Sequence, residues 1–514
     1  MQKETFSLGI EFSTQSVKIA LIDIRAEKIV HTTKFDYDSV FPGYHTAGGV
    51  LDSCGAEIRH TSPLMLIEAV DHVFEKLKND GIRLSSVAAI KIDAMQHCSV
   101  YTNSRLSGAI RKLNPAKTLV SQLAPSISRK TSPIWEDRSP VKEAQALTEI
   151  KKKSGNDIAA VTGNRAELRF PASQIMKWAR ESPAEYLNTK HIFVLSAFIT
   201  SILSGKIAPV DTGDGWGTNL NNLDIKKPGW NSQVLKTIDA YLKITHYDAV
   251  IGKVSNYFVK KYGVNPRAII LAGTGDNPAT LLGCGGEIVV SLGSSYTVNG
   301  VMAKVVPSMT GEYNVFGYTK GSAMALSCIT NGGKLHDYFR EKYFAGKDKN
   351  WDAYIKAAGD RVLNEKENLM LPFLMDESVP LRKKGIVRQG FDENDASANI
   401  RALHVSQALS LKIHSSHLSG MKKICIVGGG SKNIFLRQCI SDIFNATGYT
   451  IENADFAAPI GCAISAARMI LGVSYSQACD KFVQQDKGSL TKPLVKNRAV
   501  ADKLIKRYSA FEKS

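Results

Sequence analysis

The sequence predicts a duplicated α/β architecture, and three observations carry that expectation. FSLGIEFSTQSVKIALID, residues 6–23, reads strand, polar turn, strand. EIVVSLGSSYTVNGVMAKV, residues 287–305, reads the same way, with Gly293, Ser294 and Ser295 at its turn. Around both units, segments of helical period alternate with short apolar runs, the pattern of parallel strands inside a mixed sheet. The 514 residues, 44% of them apolar, suffice for two domains with full cores. The division is expected near residue 285, giving domains 1–284 and 285–514.

Taken in order, the first turn is built from Glu11, Ser13, Thr14, Gln15 and Ser16. Leu64–Asn79 has helical period, and Val87–Ile92 reads as a strand. The longest apolar stretch, Ile192 to Leu203, reads as a buried helix, because a membrane span needs ~20 residues. Ala268–Ala272 and Lys423–Val427 read as strands and Ala402–Gly420 as a helix. From Asp480 onward the chain is basic and polar, which predicts one or two surface helices with a frayed end. No short-period repeat occurs, so solenoids and propellers are excluded.

Composition narrows the function classes. The N-terminus, MQKETFSLGIEF, has its apolar run interrupted by Glu11, so no targeting segment is expected. Eight cysteines, at 54, 98, 284, 328, 425, 439, 462 and 479, form no CxxC pair. That pattern argues against a zinc knuckle or a redox dithiol and for free thiols in a reducing cytoplasm. The net charge of +17 comes from 65 basic and 48 acidic residues. Its clusters, Lys151–Lys153 and Arg382–Lys384, are short and carry no interleaved aromatics. No nucleic-acid or membrane partner is expected, and the basic surface suits phosphate-bearing small molecules.

Four groups of residues could carry chemistry, each with a plain structural alternative. In the Glu11–Ser16 turn, hydroxyls and backbone N–H groups could face phosphate oxygens and Glu11 could hold a cation, or the turn is an ordinary hairpin. In GTGDNPAT, residues 273–280, Asp276 follows an apolar run and heads a helix. There it could accept a proton from an attacking hydroxyl, or merely cap the helix. In IVGGGSKN, residues 426–433, three glycines after a strand let backbone approach a nucleotide, or form a tight strand–helix turn. The glycines match neither GxGxxG nor GxxxxGK[ST]. Gln96, His97, Asp137 and Arg169 lie beside apolar runs, as sugar-binding groups or as satisfied structural polar residues. No GxSxG occurs, which removes a serine-hydrolase reading.

The order of these motifs resembles the FGGY carbohydrate kinases, and within them the xylulose-kinase group of eukaryotic type. EFSTQSVKIALID is similar to the first phosphate loop, SLGSSYTV to the second and VGGGSKN to the adenosine loop. MQHCSVY, IWEDRS, TGNRAELRFPASQIMK and GTGDNPAT are similar to the segments around the sugar. The similarity runs from about Leu8 to about Ile470 with every motif in order, which is far more specific than any one of them.

The resemblance implies a two-domain actin-like (ribonuclease H-like) ATPase fold around a central cleft, with a sugar-binding N-terminal domain and a nucleotide-binding C-terminal domain. It implies ATP and Mg²⁺ and transfer of phosphate to D-xylulose, giving D-xylulose 5-phosphate. Asp276 would be the general base on the ketose C5 hydroxyl. His97, Arg169, Asp276 and Asn277 would contact the sugar, with Gln96 and Asp137. Gly429, Gly430 and Asn433 would hold adenosine and Trp351, in NWDAY, would contact the nucleotide. Gly293 and Ser294 would meet the phosphates with Gly332 nearby, joined by Ser13 and Thr14 of the first loop. Glu11 would hold the metal. A kinase for another ketose or polyol such as ribulose or glycerol, and a non-catalytic sugar sensor, stay as alternatives, and a homodimer is an open expectation. Two departures stand out: the family has Asp where Glu11 stands, and Thr where Ser295 stands. Glu is one methylene longer, and a ~1 Å misplacement can cost on the order of 100-fold in rate.

Overall fold

The computed structural model describes residues 4–52, 55, 57–149, 157–235, 244–286, 288–319, 321–344, 350–418 and 421–514. Cys54, Lys151–Lys153, Glu287 and Gly420 lie outside the described residues. The chain forms two compact units: unit 1 is Met1–Gly283, Lys304–Met324 and Phe456–Phe482, and unit 2 is Cys284–Ala303, Ala325–Asp455 and Val483–Ser514. The first cut falls near residue 285, but the units are not contiguous stretches. Two C-terminal excursions, 304–324 and 456–482, pack with the N-terminal residues.

In unit 1, strands β1 (Phe6–Phe12), β2 (Ser16–Asp23), β3 (Lys28–Asp36), β4 (Val87–Ala94), β5 (Val250–Lys253) and β6 (Ile269–Leu271) form a sheet in the order β5-β6-β4-β1-β2-β3. A short strand, β7 (Thr274–Gly275), also pairs with β4. β1 and β2 are antiparallel, and β4 is parallel to β1. Every residue of β1 is buried, as expected for a central strand covered on both faces. The helix Pro63–Asn79 starts where Ser62 accepts a hydrogen bond from Met65 N and Pro63 fills the first helical position. Its Met65, Leu66, Ala69, Val70, Val73, Phe74 and Leu77 repeat at three- and four-residue spacing and enter the core.

The helix Ala457–Leu471 packs on β1, β2 and β4. A Cβ at Gly9 of β1 would lie 1.8 Å from Pro459 O, so glycine is required by this close approach. The same helix meets the helix Asp276–Gly283, where a Cβ at Gly461 would lie 2.0 Å from Ala279 O. By length and composition the window Ala454–Leu471 could cross a membrane, but 61% of it is buried here. The stretch 192–203 is not one helix: His191–Val194 is a strand and the buried helix is Leu195–Ser204. The β-branched and aromatic His-Ile-Phe-Val run explains the strand.

In unit 2, strands β8 (Ile288–Leu292), β9 (Tyr296–Val301), β10 (Ala323–Ile329), β11 (Lys423–Val427), β12 (Thr447–Ile451) and β13 (Gln485–Thr491) follow the order β10-β9-β8-β11-β12-β13. β8 and β9 are antiparallel, and β11 is parallel to β8. The local plan of unit 1, a strand–turn–strand with a parallel neighbour, is thus repeated. The helix expected over 402–420 runs Ala396–Ile413, because Asp395 caps it by accepting from Ala398 N. Of the one or two surface helices expected in the C-terminal segment, one forms, and a strand precedes it. The segment supplies β13, antiparallel to β12, and the helix Arg498–Lys513, which buries Ala501, Leu504 and Tyr508.

Candidate active site

A row of charged side chains crosses the sheet of unit 1. Lys18 lies opposite Glu11 on β2, and Asp93 lies beside Glu11 on β4. Register partners project to the same face, so the row reads Lys18, Glu11, Asp93, with Thr274 of β7 next to Asp93. Glu11 therefore sits inside β1, not in the turn that the sequence suggested. The turn proper is Ser13–Ser16, closed by Ser13 Oγ donating to Ser16 O at 2.8 Å. Thr14 Oγ1 accepts from Trp135 Nε1 at 2.9 Å.

Glu11 is buried, and Lys18 Nζ stands 3.2 Å from its Oε2. Burial raises the Glu11 carboxyl, and Lys18 opposes that rise. Asp93 is fully buried and pushed well above the carboxylate range, first by burial and then by Glu11 and Asp276. Cys462 Sγ donates to its Oδ2 at 3.3 Å, while Oδ1 has no hydrogen-bond partner.

Asp276 heads the helix Asp276–Gly283, directly after β7. Burial, and then the Glu11 charge, push its carboxyl up to about 7. Asn277 Nδ2 donates to Asp276 Oδ1 at 3.0 Å and to Gln96 Oε1 at 2.6 Å. Gln96 Nε2 donates in turn to Gly213 O at 3.1 Å. Asp276, Asn277 and Gln96 thus form one connected group, and a carboxyl poised near neutrality can take a proton from a hydroxyl.

His97 anchors to the same backbone stretch. Its Nδ1–H donates to Gly217 O at 2.8 Å, which leaves Nε2 as an acceptor. Phe170 stacks on the ring at 4.3 Å between centroids, and the His97 backbone has φ +70°. Burial, and then the charge of Arg169, lower the imidazole to about 3, so it is neutral. Arg169 Nη2 donates to Asn314 Oδ1 at 3.2 Å, and its Nε has no hydrogen-bond partner among the described residues. Asn314 belongs to an excursion, 304–324, whose side chains no local motif would assign to this site.

Asp137 is placed differently from the expected sugar contact. Its Oδ1 accepts from Ser139 N, Ser139 Oγ and Gln174 Nε2 at 3.0, 2.5 and 2.8 Å. Its Oδ2 accepts from Arg59 N at 2.9 Å and pairs with His60 Nε2 at 3.3 Å. These donors hold the carboxyl far below its ordinary value despite burial. Asp137 and Arg169 line a cavity of 590 Å³ with Trp135 and Glu136. The oxygens of Asp137 are already occupied, so it orders this wall.

Unit 2 contains a cavity of 670 Å³, a volume typical of small-ligand sites. Gly293, Ser294, Trp351, Gly429, Gly430 and Asn433, all expected at a nucleotide, line it. Gly332 does not. Gly333 lines it instead and donates its N–H to Gly293 O at 2.9 Å, while a Cβ at Gly332 would lie 2.7 Å from Tyr296 N. A Cβ at Gly429 would meet nothing within 4 Å, so packing does not demand that glycine and the space is open to a ligand. Asn433 caps the helix Ile434–Phe444 through its Oδ1, and its Nδ2 donates to His404 Nε2 at 2.7 Å. Arg340 lies 4.8 Å over the Trp351 ring.

Sequence reasoning missed Asp93, Gly333, Lys334 and His336, the last three lining this cavity. Asp93 had a signal, a carboxylate inside the apolar strand run before Met95-Gln96-His97, where an unpaired charge is rare. Among the described residues, no three His, Cys, Asp or Glu side chains are grouped as metal ligands. Glu11 and the bare Asp93 oxygen are what the site offers a hard cation, and they fit Mg²⁺ completed by water and phosphate oxygens. The open glycine backbone and Lys334 fit a nucleotide.

Residues 288–470 match the FGGY family of carbohydrate kinases, C-terminal domain. The chain is 31% identical to xylulose kinase of Rattus norvegicus over 526 aligned positions, covering 98% of this chain and 96% of that protein. It is 30% identical to xylulose kinase 2 of Arabidopsis thaliana, covering 90% and 87%. Gluconate kinase from Lactobacillus acidophilus superposes with a TM-score of 0.81 at 18% identity, covering 99% of this chain and 98% of that one. Xylulose kinase from Lactobacillus acidophilus superposes with a TM-score of 0.80 at 19% identity, with the same coverage. The architecture is accordingly the two-domain actin-like ATPase fold of sugar kinases. With near-complete coverage by relatives at this identity, the chain belongs to the FGGY family of carbohydrate kinases, similar within it to the xylulose kinases.

Proposed function

We propose that this chain transfers the γ-phosphoryl group of ATP to the C5 hydroxyl of D-xylulose, giving D-xylulose 5-phosphate and ADP. Family membership makes it a phosphotransferase acting on an alcohol group. Relatives named xylulose kinase, alike over nearly the whole chain, support the choice of sugar. The observation that carries the mechanism is Asp276: a helix-heading carboxyl, fixed by Asn277 and raised to about 7.

Asp276 takes the hydroxyl proton as the oxygen–phosphorus bond forms and the bond to the ADP oxygen breaks. The step needs positioning and charge neutralisation more than covalent work by the protein. His97 offers Nε2 to a sugar hydroxyl proton, and Arg169, Asn277 and Gln96 orient the ketose. Gly293, Ser294, Gly333, Gly429 and Gly430 take the nucleotide, with Trp351 on one side and Asn433 fixing the turn. Glu11 is the residue that would hold Mg²⁺, which when bound offsets phosphate charge. Among the described residues no disulfide is formed, in keeping with a reducing compartment.

An ADP-release panel over pentuloses, hexuloses, gluconate and glycerol tests this reading. D-xylulose is expected to give the highest kcat/KM. A higher value for another acceptor would replace the substrate, and ketose binding by calorimetry with no ADP release would mark a sensor. Repeating the panel with Glu11→Asp tests whether the extra methylene slows turnover.

A further inference from the structure

We propose that Asp93 is a second carboxylate of the divalent-cation site that Glu11 begins, so that the chain holds such an ion without nucleotide. The inference rests on the reading of Glu11 as the cation-holding residue. Glu11 and Asp93 are register partners on adjacent parallel strands, so both carboxylates leave the same face at the same end. Neighbouring strands lie ~4.8 Å apart, a spacing that one ion can bridge between two carboxylates.

Asp93 has no accessible surface, and its Oδ1 has no hydrogen-bond partner. Among the described residues, the weak thiol donor of Cys462 alone engages the other oxygen. A buried carboxylate oxygen left bare is costly and uncommon. The Glu11 carboxylate leaves the sheet beside Asp93, and the flanking Lys18 pairs with Glu11. Among the described residues, the hydrogen bond to Asp93 comes from Cys462 and not from a cationic side chain. A small divalent ion supplies positive charge and a use for the bare oxygen together, and all-oxygen donors select Mg²⁺ or Mn²⁺ over softer metals.

Mn²⁺ binding to the full chain without nucleotide, read by loss of the free-ion paramagnetic resonance signal, tests the proposal. The wild type is expected to show one site, weakened at least tenfold by Asp93→Asn and by Glu11→Gln. Cys462→Ala, which disturbs packing at the same place but removes no carboxylate, is expected to keep the wild-type affinity. Unchanged thermal midpoints show that the variants fold. If Asp93→Asn binds like wild type while Glu11→Gln is weakened, the proposal falls and the Glu11 reading stands. If the wild type binds no Mn²⁺, or neither carboxylate variant differs from it, the proposal also falls. The Glu11 reading is then decided separately by Mn²⁺ binding in the presence of ADP.

Discussion

One amide group, Nδ2 of Asn277, bridges Gln96 Oε1 at 2.6 Å and Asp276 Oδ1 at 3.0 Å. Through Gln96 the chain of hydrogen bonds ends on Gly213 O. The carboxyl proposed to accept the proton is therefore aimed by two side-chain amides on a backbone anchor. A base so held is sensitive to loss of its charge but not of its shape. Asp276→Asn is expected to lower kcat by about 10²–10⁴-fold while calorimetry shows D-xylulose bound within a few-fold of wild type. Undiminished turnover in this variant removes Asp276 from the mechanism.

The raised carboxyl of Asp276 also sets a pH dependence. It accepts a proton only when ionised, so kcat/KM is expected to fall as pH drops below about 7. The effect on stability has the opposite sign. Because the folded value lies above the ordinary 3.8, the folded state binds more protons than the unfolded state between pH 4 and about 7. Stability from this group is full below the unfolded value and is lost as pH rises through about 7. Thermal melts should show Asp276→Asn gaining on wild type from pH 5 to pH 8.

The neutral imidazole of His97 gives a contrasting expectation. Lowered to about 3, it contributes no limb to the kcat/KM profile above pH 5. Its value lies in an acceptor nitrogen held by the Gly217 carbonyl. Asn tolerates the positive φ at this position, so His97→Asn should fold. The expected result is a KM for the ketose raised about tenfold, one lost hydrogen bond of roughly 1.4 kcal/mol, with KM for ATP unchanged.

Trp351 is expected to act only on the other substrate. It is 40% exposed, lines the unit 2 cavity and stacks under Arg340 at 4.8 Å. Trp351→Ala should raise KM for ATP by about tenfold, in line with ~1–2 kcal/mol for an aromatic or cation–π contact. The ketose KM should not move. ADP is expected to change the intrinsic fluorescence of wild type, and to do so much less in the variant.

Much of this site was readable because strand ends and glycine turns are local. Asp276 at the head of its helix and the Gly429–Asn433 turn after β11 are marked by residues a few positions away, whereas the Gln96 partner of Asn277 is distant in sequence. Glu11 was read one element late: a carboxylate beside Ser13 and Thr14 looks like turn chemistry, and only the pairing with Lys18 shows it inside β1. The sequence could not choose between the two readings of Asp137, because its five donors come from Arg59, His60, Ser139 and Gln174, mostly distant in sequence. The strand in the C-terminal segment was missed because β13 is polar and sits against β12, where exposed residues are tolerated. The return of 456–482 to unit 1 left only indirect traces, among them Gly9, whose need is set by Pro459 some 450 residues away.

That glycine gives the last expectation. A Cβ on Gly9 would lie 1.8 Å from Pro459 O and 2.6 Å from Ala463 N, and both are backbone atoms with no rotamer to yield. To admit a methyl group, the helix Ala457–Leu471 must move off β1, taking with it the packing against β2 and β4 and the Cys462–Asp93 contact. Gly9→Ala is therefore expected to destabilise unit 1 by about 3 kcal/mol or more, read as a lower urea midpoint and a lower soluble yield. Gly43→Ala is the matched control, since a Cβ there meets nothing within 4 Å. Its midpoint should stay within error of wild type. Equal midpoints for the two variants would mean that the helix does not sit against β1 as described.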